Sequence, residues 1–243
     1  MSKIIALIPA RFAASRFPAK LLQLLGNQPV ILHTYFSVIN TQLFHEVYVV
    51  TDHQQIFDLI VSVGGKAIMS IEQHESGTDR IAEAVKNMDI DVIVNIQGDE
   101  PFIQKEPLEN LIHLFKKEEV QVGTLMRKMN ATDNPQNPNA VKVVVDCNNK
   151  ALYFSRSVIP YQRDENFSAT HYLHLGVYGF RKKALLQFTE LPPSTLEKTE
   201  KLEQLRFLEN GINIYVAETD YITIAIDMPE DLEKAKKHLH KNL

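Results

Sequence analysis

The stretch KIIALIPARFAASRFPAK, residues 3–20, combines a structural signal with a chemical one. Its first part, KIIALI (3–8), is a short apolar run typical of a buried strand. The run stops at Pro9, and the loop that follows has no glycine before Gly26, although phosphate-binding loops are usually rich in glycine. This loop carries three cations: Arg11, Arg16 and Lys20. Taken alone, it is either a phosphate-binding loop or a solvated basic surface loop.

Strands and helices alternate through the first half of the chain. The predicted strands are 3–8, 46–51, 66–70 and 91–96, and the predicted helices are 29–40, 54–65, 78–88 and 107–118. This alternation is typical of a mostly parallel sheet covered by helices on both faces. In such sheets ligands bind in the crevice beyond the carboxyl ends of the strands, where the basic loop begins.

After about residue 119 the chain becomes richer in strands. Strands are predicted at 120–128, 140–146, 151–156, 171–181, 212–218 and 221–226, with a long helix at about 195–209 and a closing helix at 229–241. We therefore predict a single α/β domain over residues 1–243, with a smaller strand-rich lobe at about 120–185.

The composition excludes several classes of protein. The 243 residues are 44% hydrophobic, and 26 Lys and Arg against 30 Asp and Glu give a net charge of -4, which argues against a general nucleic-acid binder. The single cysteine fits a reducing compartment. The apolar start is too short for a signal peptide, and no apolar run approaches the ~20 residues of a membrane span. We expect a cytoplasmic protein without membrane insertion.

Two aspartates follow predicted strands far apart in the chain. Asp99 stands in NIQGDEP (95–101), where Gly98 allows a sharp turn. Asp227 stands in AIDMPEDL (225–232), at the end of another apolar segment. Mg²⁺ is typically held by one or two carboxylates, with phosphate oxygens and water completing its shell, so both aspartates could converge on one Mg²⁺. The alternative is that each carboxylate only caps the element that follows it.

A polar turn, HESGTDR (74–80), precedes a predicted helix. Backbone groups around Ser76 and Gly77 could recognise the edge of a planar base, and Arg80 could reach a phosphate. The alternative is an ordinary loop in which Ser76 or Thr78 caps the helix. The residues alone leave both interpretations open.

The strand segment HLGVYGF (174–180) carries polar groups suited to a sugar. Alternation places His174, Gly176 and Tyr178 on one face, opposite apolar residues that would face a core. Because Gly176 has no side chain, it leaves room for a ligand to lie across the strand. A structural histidine is the alternative interpretation.

Within the predicted helix at about 195–209, Glu203 and Gln204 stand between leucines. They either recognise hydroxyl groups or form an exposed polar face. The chain contains neither a P-loop nor a dinucleotide fingerprint, and its histidines lack zinc-site spacing.

In combination, these segments resemble the bacterial 3-deoxy-manno-octulosonate cytidylyltransferases, also called CMP-Kdo synthetases. The resemblance covers nearly the whole chain. The matching segments are, in order, IPARFAASRFPAK (8–20), TDH (51–53), HESGTDRIAE (74–83), VNIQGDEP (94–101), NPNAVKVV (137–144), ALYFSRSVIP (151–160), HLGVYGFR (174–181), TEKLEQLR (199–206) and DMPEDLE (227–233). Each segment is a weak signal alone, but their joint occurrence in this order is highly specific.

The resemblance implies a nucleotidyltransferase-type fold, a mostly parallel sheet sandwiched by helices, whose smaller strand-rich lobe serves dimerisation. It also implies a homodimeric enzyme that joins CTP and 3-deoxy-D-manno-octulosonate (Kdo) into CMP-Kdo and pyrophosphate for lipopolysaccharide biosynthesis. Mg²⁺ would be the cofactor.

Carried onto this chain, the resemblance assigns roles to individual residues. The nucleotide would be bound by Ala10, Arg11, Ser15, Arg16, Lys20, Ser76, Gly77 and Arg80. Asp99 and Asp227 would hold Mg²⁺ and, with Arg11 and Lys20, would form the catalytic set. The sugar would be positioned by Gln97, Arg156, His174, Tyr178, Glu203 and Gln204, with Arg156 facing its carboxylate. No residue is identified as a general base.

The chain departs from the family pattern at two places. The family usually has glycine where Ala19 stands, a change we expect to be tolerated if the position needs no positive φ. The family more often has Gly-Thr-Gly before the second aspartate and threonine after it. This chain instead has Thr223, Ile224, Ala225 and Met228.

The bulkier segment before Asp227 leaves the acid sugar open: Kdo, 8-amino-Kdo or a sialic acid. Two further alternatives are a catalytically inactive nucleotide-binding homologue and a metal-dependent glycosyltransferase.

Overall fold

The computed structural model describes residues 2–12, 17–74, 76–164, 166 and 168–241. Its strands are β1 (Ile4–Ala10), β2 (Leu24–Leu25), β3 (Gln28–Pro29), β4 (Glu46–Thr51), β5 (Lys66–Met69), β6 (Val92–Asn95), β7 (Val122–Lys128), β8 (Lys142–Val145), β9 (Ala151–Ser155), β10 (Tyr172–Arg181) and β11 (Ile214–Glu218). Its helices are α1 (Val30–Asn40), α2 (Gln54–Ser62), α3 (Gly77–Val85), α4 (Lys105–Leu114), α5 (Lys182–Glu190), α6 (Thr195–Glu200), α7 (Leu205–Glu209) and α8 (Pro229–Lys241), with a 3-10 turn at Lys20–Leu22.

The chain divides into two compact units. One contains the residues up to Lys105 together with those from Thr223 onward, and the other is Glu106–Ile222. In the first unit the strand order is β6-β1-β4-β5, and each pairing is parallel. β1 and β6 are apolar runs buried on both faces, and every residue of β1 after Ile4 is buried. β5 lies at the edge of the sheet, and none of its described residues is fully buried. The carboxyl ends of these parallel strands share one edge, as predicted for the α/β sheet.

The second unit is a mixed sheet. β7 pairs in parallel with β11 and antiparallel with β10, and the β8–β9 hairpin pairs with β10 through β8. A bulge interrupts β10 between Leu175 and Tyr178. The predicted lobe at about 120–185 lies inside this unit. That the whole chain acts as a single domain stays a prediction.

The predicted helix at about 195–209 is wrong. The structure has two short helices, α6 and α7, because the chain turns at Lys201, whose φ is 54°. The turn lets Arg206 form two contacts with the Glu197 carboxylate, at 2.5 and 2.7 Å. Residues nine positions apart in a continuous helix are separated by about 13 Å, so that ion pair requires the break.

The predicted strand at 221–226 is also wrong. The segment alternates in polarity as a strand does, but its residues hydrogen bond to the loop that carries Asp99 and Glu100. Ile226 N donates to Asp99 O at 3.0 Å, and Thr223 Oγ1 lies 2.6 and 2.5 Å from the Glu100 carboxylate oxygens. Helix α5 was not predicted. Among the described residues, no helix is long and apolar enough to cross a bilayer.

Candidate active site

Lys20, Asp99 and Asp227 meet in the first unit, at the carboxyl edge of its sheet. Lys20 Nζ donates to Asp99 Oδ2 and lies 3.0 Å from Asp227 Oδ1. Lys20 and Asp99 are mostly buried, whereas the Asp227 side chain is 49% exposed. Two carboxylates far apart in the chain therefore converge on one cationic nitrogen, although the described residues leading into Asp227 form no strand.

The two aspartates of this cluster favour the charged form of Lys20. Burial alone would lower the pKa of Lys20, but the charge and hydrogen bond of Asp99, supported by Asp227, outweigh it and raise the pKa above 10.5. Lys20 is therefore charged at neutral pH and holds the aspartates together against their mutual repulsion.

The donor set fits a divalent cation bound together with a nucleotide. Asp99 and Asp227 supply carboxylate oxygens within reach of one cation, the number of protein ligands that Mg²⁺ commonly takes. In the described ranges no group of three or more His, Cys, Asp or Glu is placed to hold a metal ion. Phosphate oxygens and water would have to complete the shell.

The loop that carries Asp99 is held by contacts on several sides. Thr34 Oγ1 donates to the carbonyl of Gly98 at 2.8 Å. An added Cβ on Gly98 would lie 3.1 Å from Pro9 O and 3.2 Å from Leu21 Cδ1. Close packing therefore requires this glycine, and its φ is not positive.

The opening loop is described only in part. Ala10 is fully buried at the end of β1, and Arg11 is exposed. The predicted nucleotide-binding residues Ser15 and Arg16 lie outside the described residues. Ala19 has a φ of 50°, so this position requires the left-handed conformation. We expected alanine to be tolerated if the position needs no positive φ, and that condition is not met.

Ser76 and Gly77 begin α3. Ser76 Oγ accepts a hydrogen bond from Asp79 N at 3.1 Å, which is a helix N-cap. A Cβ on Gly77 would lie 3.2 Å from Pro9 Cγ, so the turn packs against the end of β1. The capping interpretation is correct for the Ser76 side chain, and base recognition by the backbone stays a prediction.

Arg80 is buried, with 4% of its surface exposed. Its Nη2 donates to Asp52 Oδ2 at 2.6 Å, and its buried Nη1 has no hydrogen-bond partner among the described residues. Beside it, the rings of His53 and Phe12 stack at 3.8 Å. Sequence reasoning assigned no role to Asp52 or His53, although the TDH motif at the end of β4 was the signal that marked them.

His174 and Tyr178 meet in the second unit, on β10. Their ring centroids are 5.4 Å apart, and Phe154 packs edge-on against His174 at 5.0 Å. Burial lowers the pKa of His174 to about 3, so its imidazole is neutral at neutral pH. A Cβ added to Gly176 would meet no atom within 4 Å, which fits the predicted space across the strand.

Glu203 and Gln204 lie between α6 and α7. Gln204 is the buried N-cap of α7, and Glu203 is half-buried. Burial, with a smaller contribution from the charge of Glu203, raises the pKa of Tyr178 well above 10, so the phenol stays protonated. The break in the predicted helix thus brings Glu203 near the ring that sequence reasoning assigned to the sugar.

Arg156 already binds backbone carbonyls. Its Nε donates to Glu200 O at 2.6 Å, Nη1 to Pro138 O at 2.9 Å and Nη2 to Lys201 O at 3.2 Å. These contacts use three of the five guanidinium N–H groups and leave two for a ligand. Lys142, buried in β8, supports the same residue by donating to Arg156 O at 2.5 Å. Gln97, in the first unit, is half-buried in the loop after β6.

The mostly parallel sheet and the paired carboxylates at its carboxyl edge fit one class of protein, the nucleotidyltransferases. The sequence pattern of the cytidylyltransferase family matches residues 5–214. The chain is 55% identical over 240 residues to a protein of Flavobacterium johnsoniae named 3-deoxy-manno-octulosonate cytidylyltransferase, covering 98% of each chain. A protein of Christiangramia forsetii with the same name is 51% identical over 241 residues, covering 98% of this chain and 97% of that one.

A solved structure of a CMP:2-keto-3-deoxy-manno-octonic acid synthetase complexed with CTP superposes with a TM-score of 0.94, at 38% identity and with full coverage of both chains. The chain belongs to the 3-deoxy-manno-octulosonate cytidylyltransferase family, as the resemblance predicted, and is a CTP-dependent nucleotidyltransferase.

Proposed function

We propose that this enzyme transfers CMP from CTP to the anomeric hydroxyl of Kdo, giving CMP-Kdo and pyrophosphate for lipopolysaccharide biosynthesis. The observation that carries the proposal is the convergence of Asp99 and Asp227 on Lys20 at the carboxyl edge of a parallel sheet. That arrangement suits a polyphosphate bound with a divalent cation. The high identity to relatives of that name points to Kdo as the sugar.

The first unit binds the nucleotide in this account. Lys20, Arg11 and Arg16 bind the triphosphate with charge-assisted hydrogen bonds, and Ala10 and Ser15 are assigned to the nucleotide as well. Cytosine is recognised by the backbone at Ser76 and Gly77. Arg80 offers its unpaired Nη1 to the same ligand.

The second unit supplies most of the sugar-binding residues. Arg156 directs its two remaining N–H groups to the Kdo carboxylate. His174, Tyr178, Glu203 and Gln204 bind hydroxyl groups, and Gln97 is assigned to the sugar as well. The neutral imidazole and the protonated phenol offer uncharged partners to these hydroxyls.

The reaction is an in-line displacement at phosphorus. The anomeric oxygen forms a bond to the α-phosphorus of CTP, the bond from that phosphorus to the bridging oxygen breaks, and pyrophosphate leaves with the electron pair. The hydroxyl proton is released to solvent in this scheme, and no residue is assigned as a general base. The protein contributes positioning and charge stabilisation.

Asp99 and Asp227 would hold Mg²⁺, which when bound lowers the pKa of the attacking hydroxyl and neutralises charge on the phosphates. Lys20 and the arginines stabilise the negative charge that develops on the departing pyrophosphate. Lys20 contributes to the metal-binding and the phosphate-binding part of the site, because it contacts both aspartates and stands in the predicted phosphate-binding loop.

We further propose that the enzyme works in the cytoplasm as a homodimer, with the strand-rich lobe providing the dimer contact. Light scattering of the purified protein should give twice the mass of one chain. The mass of a single chain at micromolar concentration would contradict this part of the proposal.

The substrate is tested by incubating the enzyme with CTP, Mg²⁺ and one acid sugar at a time. Pyrophosphate release should be fastest with Kdo and slower with 8-amino-Kdo or a sialic acid. A preference for 8-amino-Kdo would assign the altered segment before Asp227 to sugar selection. Tight CTP binding without turnover of any sugar would identify an inactive homologue instead, and hydrolysis or transfer of a sugar nucleotide would identify a glycosyltransferase.

A further inference from the structure

Thr124 lies on β7 opposite the bulge of β10, and it is fully buried. Its Oγ1 lies 3.0 Å from His174 Nε2, 2.9 Å from Val177 O and 3.2 Å from Leu175 O. The bulge explains this crowding, because it turns two carbonyls of β10 towards the same hydroxyl. One hydroxyl group therefore serves two carbonyls and one ring nitrogen.

The hydrogen count favours one direction for each bond. A threonine hydroxyl has one hydrogen to donate and lone pairs to accept with, whereas a carbonyl only accepts. Two carbonyls lie within hydrogen-bond distance of Thr124 Oγ1, which favours donation of its hydrogen to a carbonyl and makes the imidazole nitrogen the donor in the third contact. His174 then carries its hydrogen on Nε2, and Nδ1 carries a lone pair.

We propose that Thr124 is a positioning residue for the acceptor sugar: it fixes His174 in the Nε2–H form, so that Nδ1 accepts a hydrogen bond from a sugar hydroxyl. The inference rests on the function proposed above and adds to it one residue and the direction of one hydrogen bond. Among the described residues, none hydrogen bonds to His174 Nδ1.

The surroundings of the ring support an acceptor role. The His174 ring is packed by Phe154 and Tyr178, and burial keeps it neutral at neutral pH. Beside it, Gly176 is exposed, and no atom lies within 4 Å of an added Cβ at that position. A ligand lying across β10 at Gly176 would therefore meet a neutral imidazole whose hydrogen is already committed to Thr124.

Two variants separate the hydroxyl from the shape of the side chain. Thr124→Val removes the hydroxyl and keeps the volume, and Thr124→Ser keeps the hydroxyl. Thr124→Val should raise the KM for Kdo about three- to tenfold, the effect of losing one hydrogen bond, and should leave the KM for CTP unchanged. Thr124→Ser should stay within about twofold of the native enzyme for both substrates.

The tautomer itself is measured without substrate, by ¹⁵N NMR of histidine-labelled enzyme. The His174 signals are assigned by comparison with His174→Gln. Native enzyme and Thr124→Ser should show a protonated Nε2 and an unprotonated Nδ1, whereas Thr124→Val should lose this single form.

A protonated Nδ1 in the native enzyme would overturn the inference, as would an unchanged KM for Kdo in a folded Thr124→Val variant. Equal increases in both KM values would show that Thr124 is merely structural. If Thr124→Val does not fold, the tautomer of His174 in the native enzyme decides whether the inference stands. Failure of the native enzyme to use Kdo would refute the proposed function, while the NMR spectrum would still report the tautomer.

Discussion

At the scale of single residues, Ala19 stands where the backbone favours glycine. Its φ of 50° places a Cβ in the left-handed region, directly before the lysine that joins the two aspartates. For an L-residue this conformation costs about 1–2 kcal/mol. Glycine avoids that cost, but part of the gain is lost because glycine has more conformational freedom in the unfolded chain. The surrounding contacts hold the position in place despite that cost.

Ala19→Gly should therefore raise the free energy of unfolding by about 0.5–1 kcal/mol and keep the activity, because it relieves strain without touching Lys20. Chemical denaturation of both proteins measures the change. Ala82→Gly, in the interior of α3, is the matched control and should lower stability by about 1 kcal/mol. Destabilisation by Ala19→Gly would contradict the strained conformation.

Gly176 offers a second test at one residue. Gly176→Val should fold normally, with stability within about 0.5 kcal/mol of the native enzyme, because an added Cβ meets nothing within 4 Å. If the sugar lies across β10, the variant should raise the KM for Kdo and leave the KM for CTP unchanged. Steady-state kinetics with each substrate varied in turn measure both values.

The control for Gly176→Val is Gly179→Ala on the same strand. An added Cβ there would lie 2.4 Å from Phe115 Cε2, so this variant should be destabilised. Unchanged kinetics for a folded Gly176→Val would place the sugar elsewhere.

At the scale of elements, the segment before Asp227 departs from the family pattern yet is well anchored. Thr223 bonds to Glu100 and Ile226 N to Asp99 O, so both anchors lie on the loop that carries the other aspartate. The Thr223 side chain and the Ile226 backbone thus hold the segment before Asp227 against the loop that carries Asp99. This observation speaks against an inactive homologue.

Thr223→Val should remove one of these anchors and raise the Mg²⁺ concentration for half-maximal activity by about tenfold, whereas Thr223→Ser should not. Activity against Mg²⁺ concentration measures this. Thermal unfolding of both variants is also measured in excess chelator. There only Thr223→Val should be less stable than the native enzyme, because the hydrogen bond between Thr223 and Glu100 forms without metal. Identical behaviour of the two variants would remove Thr223 from this role.

Another element-scale test concerns Glu83 of α3, which holds the turn carrying Ser76. Burial opposes its ionisation, but hydrogen bonds from Ser70, His74 and the Ile71 backbone outweigh burial and lower the pKa of Glu83 from 4.5 to about 2. The depressed pKa contributes stability that is complete above pH 4.5 and lost as the pH falls towards about 2.

Glu83→Gln should lower the melting temperature at pH 7, and its deficit relative to the native enzyme should shrink as the pH falls from 4.5 towards 2. Calorimetry over that range measures the deficit. Exposed Glu119→Gln is the control and should show little deficit at any pH. A deficit that stays constant with pH would refute the role assigned to the carboxylate.

At the scale of the whole molecule, sequence and structure agree best in the parallel sheet. Continuous apolar runs identify β1 and β6, because burial on both faces leaves a strong local pattern. The less buried strands β4 and β5 were also predicted. The break at Lys201 was not predictable in this way, since the ion pair between Glu197 and Arg206 that requires it is a contact through space.

The same distinction applies to the site. Asp99 was predictable because it follows β6, and Lys20 because it lies in the loop after β1. Asp227 was predicted from a strand at 221–226 that these described residues do not form, so only the folded chain explains why it meets Lys20 and Asp99. The partners Asp52 of Arg80 and Thr124 of His174 have no spacing signal, and only the folded chain reveals them. Ser15 and Arg16 remain predictions.

The central claim is that Asp99 and Asp227 form the catalytic carboxylate pair of a CMP transfer to Kdo. The direct measurement is CMP-Kdo formation from CTP, Kdo and Mg²⁺, followed by ³¹P NMR for the native enzyme, Asp99→Asn and the exposed control Asp89→Asn. We predict product with the native enzyme and the control, and at least about 10²-fold slower formation with Asp99→Asn. Near-native product formation by Asp99→Asn, or no CMP-Kdo from the native enzyme, would contradict it.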